Sequence, residues 1–280
     1  MAILYIVATP IGNLKDITLR ALETLNEVDI IAAEDTRVAK KLLTAHGINK
    51  PLVSYHQHNA AQRDLEILKK LQSGQNVALV TDAGTPLISD PGNSLVALCH
   101  DNNIQVVPVP GVSAAITALS VNDFNVGKFT FEGFLPPKKS ARVERLKRLA
   151  LVDHAIILYE AKHRVIELLE DIEETFGPDR KMMIARELTK IHEQIIGGTV
   201  KQIIERFQEQ TIPCKGEFVI LLQGDNGSAS ERVEEEKMRI LFSKIATVLT
   251  HKDAVELGKS LSSLQKNALY NLASEFYKKS

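Results

Sequence analysis

Short apolar runs recur along most of the chain, and between them lie stretches whose apolar positions repeat every three or four residues. The first set of runs predicts strands at Ile3–Ala8, Ile30–Ala33, Leu52–Tyr55, Val77–Thr81 and Gln105–Val109. Helical spacing fills the gaps, as in Leu19, Leu22 and Leu25 or Leu65, Leu68 and Leu71. Such alternation predicts a parallel or mixed sheet covered on both faces. After a polar segment, Asn122–Lys128, a second set follows, with strands at Phe129–Phe134, Ala155–Tyr159, Met182–Ala185 and Phe218–Leu222. Glu193–Ile196 adds another strand ahead of Gly197-Gly198, and helices fit Val165–Thr175 and Val200–Glu209. Gln223–Ser230 reads as a polar Gly/Ser linker, and beyond Glu231 the pattern is helical throughout. The expectation is two α/β domains, over 1–122 and 123–225, and a small helical tail over 231–280. No fixed-period repeat or coiled-coil heptad interrupts it.

Composition narrows the picture only a little. At 280 residues the chain is long enough for two domains, each with its own core. With 44% hydrophobic and 25% charged residues it has the make-up of an ordinary soluble protein. A formal net charge of −1 excludes grip on nucleic acid by bulk charge, though not a local basic patch. Cys99 and Cys214 lie far apart in unrelated contexts and read as reduced thiols of a cytoplasmic protein. The apolar start Met1–Ala8 lacks a basic leader and soon meets Pro10 and Gly12, so it reads as a first buried strand, with no membrane association expected.

The most informative stretch is Val77–Gly92. An apolar run breaks there into a loop of Gly, Pro, Thr and Asp, at the strand end where α/β proteins place ligands. Asp82 and Asp90 are its only ionisable groups. A phosphate cradle calls for backbone N–H groups and usually a Lys, and acids repel its ligand. This loop suits a polar cation, and S-adenosylmethionine, with its sulfonium and ammonium groups, is such a ligand.

Other strand ends carry candidates as well. Pro10–Asp16 lies between strand and helix. Gly12 permits close approach of a ligand, or the segment is simply a tight turn capped by Asp16 or Thr18. It lacks the three-glycine spacing of a dinucleotide fingerprint. Glu34, Asp35 and Arg37 follow the second strand, where a helix cap, an ion pair and a substrate-facing role are all compatible. Ser113, Ala114 and Ala115 open a small-residue helix that either packs closely or leaves room for a ring or ribose. In the second half Glu132, Tyr159-Glu160, Arg186 and Lys215–Glu217 each stand at a strand end, which suggests a site between two sheets. His56 and His58 have no third partner nearby, so no metal site is expected. Lys138, Lys139, Arg142, Arg145, Lys147 and Arg148 form either a solvated helix face or an RNA-phosphate clamp. In the tail, Ala254, Leu257 and Leu261 would face Leu264, Ala268 and Leu272 in a helix-turn-helix pattern, with Ser263, Gln265, Lys266 and Asn267 opening the second helix. A dimerisation or capping hairpin is the plainer alternative.

Taken in order, Pro10–Ile17, Ala33–Arg37, Asp82–Gly92, Glu132–Pro136, Arg186–Lys190 and Lys215–Glu217 resemble the bacterial 16S ribosomal RNA ribose 2′-O-methyltransferases of the tetrapyrrole-methylase superfamily. The resemblance spans essentially the whole chain, including the tail. It implies S-adenosylmethionine bound in the cleft between the domains, a homodimer, and a decoding-centre cytidine of 16S ribosomal RNA in the assembled small subunit as target. It places Asp82, Gly84, Thr85 and Ile88 along the amino-acid and ribose side of that ligand, with Ser113 and Ala114 beside it. Tyr159, Leu188 and the segment after Gly216 would close over adenine, and Pro10 would face the methyl group. A ribose hydroxyl is a poor nucleophile when neutral, so Asp35, Glu132 and Glu160 are candidate proton acceptors, and Arg37 or Arg186 would position a phosphate. A small-molecule methylase acting on a tetrapyrrole precursor is the main rival, and a non-catalytic nucleic-acid-binding sensor of the methyl donor is another.

Overall fold

Strands form wherever the apolar runs are dense enough to be buried on both faces. The computed structural model describes residues 2–124, 126–225 and 227–277. In the first half, β1 (Ile3–Val7), β2 (Ile30–Ala33), β3 (Leu52–Ser54), β4 (Val77–Val80) and β5 (Gln105–Val109) pair in the order β3-β2-β4-β1-β5. Every pairing is parallel, so the carboxyl ends of these strands share one edge. Helices α1 (Leu19–Glu27) and α2 (Thr36–Ala45) cover one face through Ala21, Leu25, Ala39 and Leu43. Helices α3 (Ala60–Gln72) and α4 (Asn93–Asp101) cover the other through Ile67, Leu71, Leu95 and Cys99.

Helix α5 (Ala114–Leu119) leaves that sheet for the second one. There β6 (Phe129–Phe134), β7 (Ala155–Ala161), β8 (Lys181–Arg186), β9 (Gln194–Thr199) and β10 (Glu217–Leu222) run in the order β6-β7-β10-β8-β9. This sheet is mixed: β6 and β7 are parallel, and β10 is antiparallel to both β7 and β8. Helices α6 (Lys139–Leu149), α7 (Val165–Phe176) and α8 (Val200–Gln208) bury one face around Leu146, Leu168, Ile172 and Ile203. The opposite face is covered by α5, where Ala115 and Ala118 lie against Ile157, Met183, Val219 and Leu221. Side chains this small let the helix approach the sheet closely. Each sheet thus closes a core of its own, and α5 with Ile11 joins a further cluster on the other face of the second sheet.

Three local expectations are corrected. Strand β9 runs through Gly197-Gly198 instead of ending there, because both glycines are held in register by Met183 and Met182 of β8. The polar segment after β10 is tied down at its start: Asp225 is buried, its N–H donates to the Val152 carbonyl at 2.5 Å, and its carboxylate pairs with Arg180 at 3.3 Å. Likewise Phe124, within the other expected linker, is buried in the cluster between α5 and the second sheet. Asn125 and Asn226, one residue of each segment, lie outside the described residues, as do Met1 and residues 278–280.

In the tail, α9 (Ser228–Ile245), α10 (His251–Leu261) and α11 (Lys266–Ser274) pack round Phe242. The buried positions are Ala254 and Val255 against Leu269, Leu272 and Ala273. Leu261 is 59% exposed, and Leu257 and Ala268 are only half-buried, so the seam differs from the one expected. The long third helix, not a two-helix face, supplies the centre. Ser263 is engaged by α9, donating from N and Oγ to Glu234 at 2.9 and 2.7 Å. Among the described residues no helix is long and apolar enough to cross a membrane.

One buried ion pair ties α6 to α7. Arg142 Nε donates to Asp171 at 2.6 Å, with both side chains 2% exposed. Replacing Asp171 by Ala removes the buried partner and leaves the guanidinium with only the exposed Glu167 at 3.5 Å and the Pro137 carbonyl, so we expect a loss of about 3 kcal/mol in a urea denaturation experiment. The double variant Arg142→Met, Asp171→Leu is expected to recover most of that loss.

Candidate functional site

Four strand ends of the first sheet converge at one place, and the loop after β4 is its centre. Thr9 and Gly84 exchange backbone hydrogen bonds, Thr9 N–H to Gly84 O at 2.8 Å and Gly84 N–H to Thr9 O at 3.0 Å. That bridge needs Gly84 at φ 87°, a conformation that glycine enters without steric cost. Thr85 Oγ1 donates to the Val112 carbonyl at 3.0 Å, fastening the loop to the turn before α5. Further along, Leu87 and Ser89 hold φ of 72° and 68°, and across the cleft Glu187 and Thr189 hold 53° and 66°. Left-handed backbone costs ~1–2 kcal/mol at each non-glycine residue. Such outliers gather where the surroundings impose a geometry on a functional loop.

The loops enclose a cavity of about 370 Å³ between the two sheets. From the first half it is lined by Ile11, Glu34, Thr81–Thr85, Ile88–Asp90, Ser113 and Ala114. From the second it is lined by Phe134, Tyr159–Ala161, Ala185, Leu188 and Glu217–Val219. The two halves meet closely at the rims: a β-carbon on Gly12 would lie 2.4 Å from Lys190 Cγ, and one on Gly133 would lie 2.7 Å from Ser89 Oγ. Gly12 is therefore approached by the second half of the chain.

Charge in the cavity is one-sided. Glu34, Asp82, Asp90, Glu160 and Glu217 line it, and among the described residues no Lys, Arg or His does. Thr81 Oγ1 donates to Glu34 at 3.0 Å. Burial pushes Asp90 up to about 6, helped by the charges of Glu34 and Asp82 and only partly offset by a hydrogen bond from Thr81. Burial also raises Asp82, although the Asp35 N–H, donating to its Oδ1 at 2.9 Å, works the other way. Tyr159 ties the halves together, its hydroxyl accepting from the Ala115 N–H at 3.0 Å while its ring meets Phe131 and Phe134 edge-on at 5.0 and 5.7 Å.

The expected site residues separate into two groups. Asp82, Gly84, Thr85, Ile88, Ser113, Ala114, Tyr159, Glu160 and Leu188 all line the cavity. Glu160 is buried and accepts from the Ala161 N–H at 2.8 Å, with Arg164 at 3.4 Å from its other oxygen. Pro10 lies outside, on a neighbouring cavity. Asp35 caps α2 and is chelated by Arg37, Oδ2 to Nη2 at 2.6 Å; those hydrogen bonds pull its pKa down to about 2. Glu132 is the extra residue of a bulge in β6 and is held outside by Arg145 at 2.8 and 2.5 Å. Arg186 is buried, donating to the Lys215 carbonyl at 2.5 Å and to His192 O and Gln194 Oε1 at 3.1 Å each, so it fastens two loops together and faces no ligand. The geometry adds Ile11, Glu34, Thr81, Asp90, Phe134, Phe218 and Val219. Glu34 and Asp90 had a signal in their strand-end and loop positions, and Phe218 and Val219 belong to the segment after Gly216 that the resemblance had placed over adenine. Among the described residues no group of three metal-ligating side chains forms.

The sequence profile of the tetrapyrrole (corrin/porphyrin) methylases matches residues 3–204. Over 276 residues the chain is 48% identical to the ribosomal RNA small subunit methyltransferase I of Synechocystis sp., a match covering 98% of both chains. It is 46% identical over 272 residues to the protein of that name from Escherichia coli O157:H7, covering 97% of this chain and 94% of that one. Among solved structures it is similar to cobalt precorrin-4 methyltransferase, with a TM-score of 0.59 at 18% identity over 79% of this chain and 94% of the other. It is also similar to uroporphyrin-III C-methyltransferase from Thermus thermophilus complexed with S-adenosyl homocysteine, with a TM-score of 0.57 at 14% identity over 80% of this chain and 97% of the other. The solved structures thus share the fold.

Asp90 gives this site a pH signature. A carboxylate raised from 3.8 to about 6 favours the folded state fully when protonated, and that contribution is lost as pH rises through the same interval. Asp90→Asn is expected to melt higher than the parent protein above about pH 6, the two curves converging near pH 4 in a thermal scan without ligand.

Proposed function

The chain belongs to the tetrapyrrole methylase family, and we propose that it transfers a methyl group from S-adenosylmethionine to small-subunit ribosomal RNA, at the ribose 2′-hydroxyl of a decoding-centre cytidine. The observation that carries the donor is the acid-only lining of the cavity between the sheets. Carboxylates held partly out of water favour a ligand bearing ammonium and sulfonium charge, and they disfavour a phosphate cofactor. The target follows from near-full-length likeness to proteins named ribosomal RNA small subunit methyltransferase I at 44–48% identity. The tail supports it too. Those relatives match 98% of this chain, whereas the solved tetrapyrrole methylases match 79–80%.

The donor, when bound, supplies an electrophilic methyl carbon. Glu34 and Asp90 would hold its charged end, Ser113 and Ala114 would leave room for its ribose, and Tyr159 and Leu188 would cover its adenine. The rest of the task is positional: the acceptor oxygen must sit about 3 Å from the methyl carbon, opposite the sulfur. Asp35, pinned by Arg37, is a weak proton acceptor at neutral pH, and Glu132 and Arg186 serve structure. The same reading takes the protein to act as a homodimer on the assembled small subunit in the cytoplasm.

Two measurements test it. Methyl label from S-adenosylmethionine is expected on one ribose 2′-oxygen near the decoding centre when the protein meets small subunits lacking the modification, as located by nuclease mapping. Absence of label from subunits and from naked RNA, despite donor binding, would move the reading to a tetrapyrrole-type small substrate. Because a cationic ligand prefers ionised Asp90, affinity for S-adenosylmethionine is expected to rise as pH goes up through about 6, measured by calorimetry.

A further inference from the structure

A second cavity, of about 420 Å³, opens on the far side of the wall made by Ile11 and Thr81–Ala83. Its other walls come from the turn holding Pro10 and Leu14 and from α2, which presents Val38, Lys41 and Leu42. Leu14 and Val38 are 46% and 38% exposed, so apolar surface lies open at this mouth. Beside it Lys41 makes no ion pair among the described residues, whereas Lys190, also at the mouth, is held by Glu187 and Glu217 at 2.8 and 2.9 Å. An apolar wall next to an uncommitted ammonium matches a base linked to phosphate better than it matches a polycarboxylate ring, which would want several cations.

We infer that this second cavity receives the target ribonucleotide, with its base against Leu14 and Val38 and a backbone phosphate at Lys41, and that Asp82 in the shared wall takes the proton of the reacting hydroxyl. The inference rests on the function proposed above. Three ionisable or hydroxylic side chains line both cavities: Thr81, Asp82 and Glu217. Thr81 is a neutral hydroxyl whose one proton is shared between Glu34 and Asp90, and Glu217 is committed to Lys190 and 77% exposed. Among the described residues Asp82 forms no ion pair, and only its Oδ1 is engaged, by the Asp35 N–H. Burial and the Asp35 charge raise its affinity for a proton. The transfer then balances. The ribose oxygen forms a bond to the methyl carbon as the carbon–sulfur bond breaks. The electron pair of that bond stays on sulfur as the neutral thioether, and the hydroxyl proton passes to the Asp82 carboxylate.

Three variants test this, each compared with the parent protein for affinity toward S-adenosylhomocysteine and for single-turnover methylation of unmodified small subunits. Val38→Trp fills the second cavity from an exposed helix position; the product is expected to bind within about twofold of the parent while methylation falls about 100-fold. Lys41→Glu is expected to raise the half-saturating subunit concentration about tenfold, with a shallower salt dependence and a saturated rate close to the parent. Asp82→Asn is expected to lower the saturated rate about 100-fold or more with subunit affinity kept. Parental methylation by both Val38→Trp and Lys41→Glu would overturn the subsite, and parental turnover by Asp82→Asn would overturn the proton acceptor. Should Val38→Trp fail to fold, Lys41→Glu decides the subsite alone. If the parent protein itself labels no subunit, the proposed function falls and this inference falls with it, an outcome distinct from a normal parent with normal variants.

Discussion

Helix α5 is six residues long, and the architecture turns on where it packs. It follows the last strand of the parallel sheet, yet Ala115 and Ala118 are buried against Ile157, Met183, Val219 and Leu221 of the other sheet. Because the helix is short and its contact residues are small, the turn before it is drawn down onto the second sheet. The Tyr159 hydroxyl then meets the Ala115 N–H, an unsatisfied donor at the helix start. That single packing contact brings the carboxyl edge of one sheet over the face of the other. The cavity is the gap left between them.

What fills the gap is repulsive in the absence of a ligand. Glu34, Asp82 and Asp90 crowd one wall, and their mutual charge is part of why Asp90 holds its proton so tightly. The loops carrying these groups also hold left-handed backbone at Leu87 and Ser89, opposite Glu187 and Thr189. Strain and like charge together are stability given up for a surface ready to receive a cation without rearrangement. The body of each half supports that cost through fully buried strands such as β4, and through the closed Arg142–Asp171 pair.

Much of this was legible in the sequence because burial on both faces leaves continuous apolar runs. Strands β2, β5 and β6 begin and end where the runs do, and the loop after β4 advertises its chemistry by composition alone. What stayed hidden was tertiary. Glu132 and Arg186 stand at strand ends like the cavity residues, and nothing nearby in sequence shows that Arg145 and the Lys215 carbonyl will claim them. The tail seam slipped for a similar reason. Leu257 and Leu261 have helical spacing, but Phe242, from a helix nine residues before, decides which side faces inward. Periodicity reports that a face is apolar; it does not report which partner arrives.

The two rim contacts at Gly12 and Gly133 have a consequence of their own. Each sits on one half of the chain with a side chain of the other half in the place where its β-carbon would stand, Lys190 in one case and Ser89 in the other. The cleft is thus gauged at two points by missing carbon atoms, like the thinnest shims that still keep two plates apart. A single methyl at either point would force the facing side chain to move. A lineage holding this frame therefore has two positions, one on each half, at which one added carbon changes how Lys190 or Ser89 is seated at the rim.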